Sequence, residues 1–211
     1  FPTTKELQSK KAWVVLFDSN LELFNDELLD ISKHFRKIRR DDLGKRGRPD
    51  ITHVGVLNVC DFPAYSSGEV GLILHTIEDK VIFIKDSWRP PRNYVNFSSL
   101  FAQLLKLGQV PPEGEPILLV KNSALKDVLR NLRVRKVILL SSRGKKVNFE
   151  QYLASLKSNA PVAFLVGAYA KGAPRDEILA ISDEVISIYG KVLTTNVVVA
   201  MLMCYLEKVF L

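Results

Sequence analysis

The chain has 211 residues, 47% hydrophobic and 25% charged, with 30 Lys plus Arg against 23 Asp plus Glu. That length affords a core of useful size in a single globular unit, and the net charge of +7 favours an anionic partner, nucleic acid or a membrane surface. The longest apolar run, Val197 to Leu206, is too short for the roughly twenty residues of a membrane span; Phe1 opens no signal-peptide pattern, and two cysteines with three scattered histidines exclude a disulfide framework or zinc spacing and fit a reducing compartment.

In chain order, Ala12–Asp18 is expected to be a buried strand, apolar and β-branched. Leu28, Ile31, Phe35 and Ile38 recur at helical spacing, which predicts a helix N-capped by Asn25. A glycine-punctuated basic loop follows at 44–53. Thr52–Asp61 reads as a second strand, and residues 70–77 and 81–86 as the arms of a β-hairpin. Tandem prolines Pro90 and Pro91 break regularity. Phe97, Leu100, Phe101, Leu104 and Leu105 predict an amphipathic helix ended by Gly108. Beyond it strands and helices alternate: strand 117–121, helix 124–132, strand 137–141, helix 149–156, strand 162–166, strand 185–189 and a helix from about Thr195. Alternation of this kind predicts an α/β fold with a largely parallel sheet. The helix from Thr195 is apolar nearly all round and needs cover on several sides, so a homodimer is expected.

Three segments stand out chemically. In "GKRGRPDITH" (44–53) one carboxylate, Asp50, follows Lys45, Arg46 and Arg48. Pro49 holds the segment extended, and Gly44 and Gly47 allow close backbone approach. This is either a solvated turn or a phosphate cradle with a carboxylate aimed at a base. In "SWRPPRNY" (87–94), Arg89 and Arg92 have forks suited to phosphate oxygens, and Trp88 and Tyr94 offer stacking surfaces; packing of those aromatics into the core reads equally well. In "FLVGAYAKGAP" (164–174), Gly167 closes a strand and Gly172 follows, at the strand end where α/β sheets place ligands. The pattern is neither the dinucleotide G-x-G-x-x-G nor a P-loop.

The segments "RGRPDITH", "RPPR", "VNFSSLFAQLLKL", "LLVKN" and "VGAYAKG" follow one another as in the Nep1/Emg1 family, which the chain resembles from about Ala12 onward. The resemblance implies a SPOUT α/β-knot fold with a C-terminal trefoil, in one domain spanning 1–211 with a β-hairpin and loop elaboration at about 62–96. It implies a homodimer that binds S-adenosyl-L-methionine and methylates N1 of a pseudouridine in small-subunit ribosomal RNA, with no metal and no membrane. Carried over by position, Asp50 is the catalytic candidate. Arg48, Arg89 and Arg92 are RNA-binding candidates; Asn96 stands where some relatives have a further arginine. Leu140, Gly167, Gly172, Ala173, Pro174, Ile188, Tyr189, Gly190, Lys191, Val192 and Leu193 fall on cofactor loops. The stretch Lys191–Thr195 departs from the family's Tyr-Pro-Leu-Ser-Ala, which keeps a second reading open: an RNA-binding ribosome assembly factor with weak or dispensable methylation. A compact chain without long charged extensions fits an archaeal, cytoplasmic protein; a eukaryotic relative would be nucleolar.

Overall fold

The structure, a computed structural model, describes residues 10–86 and 88–211. The expectation about the segment opening at Phe1, and Ser87 of the tandem-proline segment, lie outside the described residues.

Strand β1 (Ala12–Ser19) lies inside an eight-stranded sheet. Its sequence AWVVLFDS is buried on both faces: Val14 and Leu16 join one hydrophobic cluster, Trp13, Val15 and Phe17 the other. A strand with no solvent face belongs to a parallel sheet covered on both sides. β1 pairs in parallel with β4 (Val70–Thr76) on one side and β9 (Val162–Gly167) on the other. β8 (Lys136–Lys146) pairs with β9, and β10 (Glu184–Ser187) with β8, also in parallel. Beyond β4 the sheet turns antiparallel through β5 (Lys80–Ile84), β7 (Leu118–Asn122) and β6 (Gln109–Val110). The full order is β10-β8-β9-β1-β4-β5-β7-β6. The hairpin expected at 70–86 is therefore formed, but its first arm is an interior strand rather than an appendage.

Two expectations are corrected. Residues 25–38 do not form one helix. Leu23–Phe24 and Glu27–Leu28 are the short strands β2 and β3, joined through Asn25 and Asp26 with φ of 49° and 66°. Two successive positive φ values make a type I′ hairpin turn, which Asn-Asp tolerates where other residues resist it. Helix α1 covers only Ile31–His34, and its N-cap is Asp30, whose side chain accepts from Ser32 N at 2.8 Å. The second correction is Thr52–Asp61: it is helix, part of α2 (Pro49–Cys60). Pro49 occupies the first turn, where its missing N–H costs nothing. The buried positions Thr52, Val56 and Val59 follow helical spacing, which the valine-rich composition had disguised as a strand.

α2 is followed by α3 (Pro63–Ser66), α4 (Tyr94–Leu107), α5 (Leu125–Asn131), α6 (Phe149–Ser155), α7 (Asp176–Ala180) and α8 (Thr195–Phe210). α4 starts on Asn93, whose side chain accepts from Val95 N, and stops at Gly108 in the left-handed region. One face of the sheet carries α2, α4, α6 and α8, contributing Val56, Phe97, Phe101, Phe149, Val199 and Leu202. The other carries α5 and α7, contributing Leu125, Val128, Leu129 and Ile178. α8 lies along α2, with Asn58 Nδ2 donating to Asn196 O at 2.8 Å. The tandem-proline loop docks on α2 from the other side: His53 Nε2 is 2.8 Å from Pro91 O, and its ring lies 4.4 Å from that of Phe97.

Candidate active site

The carboxyl ends of β8, β9 and β10 converge on a cleft of about 660 Å³. Its floor is apolar, from Leu140 of β8, Val166 of β9 and Ile188 after β10. Three loops form the walls. The loop after β9 contributes Gly167, Tyr169, Gly172, Ala173 and Pro174; the stretch after β10 contributes Tyr189, Lys191, Val192 and Leu193; the first turns of α2 contribute Arg48, Asp50, Ile51 and Val54. Of the cofactor candidates only Gly190 does not line the cleft; it sits in the same loop with φ of 81° and its N–H donates to Ser187 Oγ at 2.9 Å.

The walls are tied together by hydrogen bonds. Thr195 Oγ1 donates to Gly167 O at 2.7 Å, which fixes the start of α8 to the end of β9. Lys171 N donates to Gly44 O at 2.9 Å, so the basic loop of 44–48 is docked on the β9 loop. At the far end of that loop Arg175 bridges Asp18 Oδ1 and Asp79 Oδ1, each at 2.8 Å. Burial raises the Asp18 carboxyl, with Arg175 opposing it. A Cβ on Gly167 would sit 2.7 Å from the Tyr169 ring, so the absence of a side chain there is what lets Tyr169 fold back toward the cleft wall. Burial, with Asp18 nearby, pushes the Tyr169 hydroxyl up to about 12, and the ring stays neutral.

Asp50 is held by a two-point ion pair: Arg48 donates Nε–H to Oδ1 at 2.8 Å and Nη2–H to Oδ2 at 2.7 Å. The pair is half exposed, 35% for Arg48 and 47% for Asp50, and it faces the cleft. The hydrogen bond to Asp50 raises the Arg48 guanidinium further above its ordinary range. Arg48 N–H donates to Asn20 Oδ1 at 3.1 Å, and Gly47, with φ of 72°, turns the chain so that its carbonyl accepts from Ile31 N at 2.9 Å. Next to the pair, Tyr94 donates its hydroxyl to Asp30 Oδ2. Burial would raise the Asp30 carboxyl, but the bonds from Tyr94 and Ser32 outweigh it and leave it lowered.

The other RNA candidates stand away from the cleft. Arg92 is exposed and pairs with Asp61 at 2.6 Å, beyond the carboxyl end of α2. Arg89 and Asn96 are exposed. Arg48 and Arg92 thus mark the two ends of α2, about 18 Å apart at 1.5 Å per residue, with the His53–Pro91 contact between them. Sequence reading missed Tyr169, Arg143 and Thr195 as lining residues. Arg143 follows a predicted strand in "LLSSRGKK", and that position past a strand end was the available signal. Among the described residues, no helix is long and apolar enough to cross a membrane, and no group of three His, Cys, Asp or Glu is arranged to hold a metal.

Comparison with known proteins agrees with this geometry. The chain is 35% identical over 187 residues to the ribosomal RNA small subunit methyltransferase Nep1 of Staphylothermus marinus, covering 88% of this chain and 81% of the relative. It is 35% identical over 173 residues to that of Saccharolobus solfataricus, covering 81% and 75%. The structure of Archaeoglobus fulgidus Nep1 bound to S-adenosylhomocysteine superposes with a TM-score of 0.83 at 25% identity, over 94% of this chain and 98% of that one. With the model of the EMG1/NEP1 methyltransferases matching residues 14–207, the chain belongs to that family.

Proposed function

We propose that the protein is an S-adenosylmethionine-dependent methyltransferase that acts on N1 of a pseudouridine in small-subunit ribosomal RNA, as a homodimer. The observation that carries this reading is the cleft at the carboxyl ends of three parallel strands with a carboxylate–arginine pair at its lip. Its size falls in the usual range for small-molecule pockets, roughly 300–1,000 Å³. Its apolar floor, with backbone-lined walls beside Gly167 and Gly172, suits a flat nucleoside. When bound, the cofactor supplies an electrophilic methyl group; Leu140, Ile188 and the loops at 167–174 and 188–193 are the residues that would hold it.

The protein's share of the chemistry is positioning and proton handling. Pseudouridine is joined to ribose through carbon, so N1 carries a proton that must leave. Asp50 is the sole carboxylate lining the cleft among the described residues. Its oxygens already accept from Arg48, and each retains a lone pair for an N1–H donor. Its role is to fix the base by a hydrogen bond and to take or relay the proton as the methyl group is transferred. Orienting the two reactants supplies several kcal/mol of the barrier reduction, on the order of 7 or more in favourable cases. Arg48, Arg89 and Arg92 are assigned to phosphates along α2.

The dimer reading rests on the face shared by α2 and α8, where Val54 and Val197 remain 41% and 38% exposed. The trefoil reading is supported by the path from β10, at the sheet edge, back to Gly167 on β9 through Thr195. The test is mass mapping of small-subunit rRNA fragments after incubation with the protein and S-adenosylmethionine. A gain of one methyl group on a pseudouridine is expected. Tight RNA binding with no heat of S-adenosylmethionine binding would overturn the enzymatic reading and leave an assembly factor.

A further inference from the structure

The cleft carries more positive charge than its proposed cofactor can use. Lys171 of the loop after β9, Lys191 of the loop after β10 and Arg143 of β8 all line it. Two more lysines stand just outside. Lys45 Cε is 3.3 Å from the position a Cβ on Gly172 would take, and Lys146 Nζ is 3.9 Å from the corresponding position at Gly190. Among the described residues no carboxylate oxygen lies within 4.0 Å of a side-chain nitrogen of any of these five residues. Elsewhere Lys10, Lys33, Arg46, Lys136 and Arg175 hold such partners while others, Arg135 and Lys157 among the described residues, do not; what sets these five apart is their convergence on one opening. Asp50, the one carboxylate lining the cleft among the described residues, is already paired with Arg48.

S-adenosylmethionine brings a sulfonium and an ammonium against one carboxylate and is itself net positive. A site built for it alone gains nothing from a ring of unpaired cations, which repel it. Five uncompensated cations around one opening make a field that attracts a polyanion. We propose that Lys45, Arg143, Lys146, Lys171 and Lys191 form a phosphate-binding collar that holds the RNA backbone on both sides of the nucleotide delivered into the cleft. This deepens the proposed function and rests on it. The collar is distinct from Arg48, Arg89 and Arg92: Arg48 belongs to one wall and Arg89 and Arg92 stand away from the cleft, whereas the collar spans the opening from the 44–48 loop to the β8–β10 edge. A strand held at both edges of the opening presents one extruded base to Asp50. Because the contacts are to phosphate, they tighten binding without reading sequence.

The experiment measures binding of a small-subunit rRNA fragment and of a scrambled RNA at several salt concentrations. It compares the unaltered protein with R143Q/K171Q, with K45Q/K146Q, whose side chains lie outside the cleft wall, and with R135Q/K157Q at the opposite end of the sheet. S-adenosylhomocysteine binding by calorimetry checks that each variant keeps a formed cleft. Each lost phosphate contact should make the slope of log K against log salt shallower by about 0.7, so each collar pair should lower it by about 1.4 for both RNAs. R135Q/K157Q should leave the slope intact. Should R143Q/K171Q lose S-adenosylhomocysteine binding, K45Q/K146Q decides alone. Unchanged slopes in the collar pairs, with rRNA still methylated by the unaltered protein, overturn the collar and leave the function standing. Equal losses in all three pairs also overturn it, since net charge alone would then explain them. An unaltered protein that neither binds nor methylates rRNA removes the functional reading and the collar together.

Discussion

Asp50→Asn tests whether the carboxylate belongs to the chemistry or to the scaffold. The substitution keeps the shape and one acceptor oxygen, and removes the charge that Arg48 grips at 2.7 and 2.8 Å. Both partners are substantially exposed, so the pair contributes about 0.2–1 kcal/mol. The loss of a negative charge in the first turn of α2 adds about 0.3–1 kcal/mol. The total is no more than about 2 kcal/mol, and for a domain of this size each kcal/mol lowers Tm by about 2–4 °C. A scaffold role therefore predicts a melt lowered by at most roughly 8 °C and a rate that follows the folded fraction. A role at N1 predicts that single-turnover methylation falls by about 100-fold or more, the lower range for a positioned acid–base group. The assay is single-turnover transfer beside a thermal melt, both with S-adenosylhomocysteine affinity as a check on the cleft. A variant that is folded, binds the cofactor product and methylates at the unaltered rate would refute the placement of Asp50 at the reacting atom.

Arg89→Ala should weaken binding of target and scrambled RNA by similar factors and make the salt slope shallower by about 0.7; loss confined to the target would show that Arg89 reads bases. Gly167→Val should abolish S-adenosylhomocysteine binding in calorimetry while circular dichroism stays native, because the new side chain forces the Tyr169 ring, 2.7 Å from its Cβ, out of place. Val54→Glu with Val197→Glu should convert a dimer into monomer in sedimentation, and a monomeric unaltered chain would remove the dimer. Burial holds His75 neutral and brings it from 6.5 down to about 4, against the opposing pull of Asp79. Because the folded value is the lower one, its stability contribution is complete above pH 6.5 and is lost as pH falls toward about 4, a loss of about 3 kcal/mol at 1.36 kcal/mol per unit. Urea unfolding of His75→Gln should be flatter than that of the unaltered chain across this window, and parallel curves would contradict the assignment.

How far the sequence could be read depended on how local the determining physics was. β1, β5, β9 and α4 were legible because their apolar patterns and the Gly108 stop lie within the segment itself. The hairpin at Leu23–Leu28 was not, since Leu28, Ile31, Phe35 and Ile38 mimic a helical stripe; Phe35 is in fact 59% exposed. What decided the matter was the backbone of Asn25-Asp26. α2 was hidden by valines, which favour strands only when a sheet edge is there to receive them; here the space beside β1 is filled by β4 and β9. The candidate cofactor residues were carried over by resemblance, and ten of the eleven line one cleft. Arg175, which ties that wall to Asp18 and Asp79, lies 157 positions from Asp18 in the chain and leaves no local trace.

The strand order also governs how the chain is made. β1 is made long before one of its two neighbours, β9. At roughly 5–20 residues per second, its Ala12–Phe17 edge waits about 8–30 s for residues 162–167. Once residues 70–76 have been made, an apolar edge has β4 on one flank and lacks its other neighbour until β9 arrives. An edge of this kind is a template for pairing with another chain. The first half of this protein should therefore be aggregation-prone when expressed alone, and should depend on chaperone shielding until β9 closes the gap.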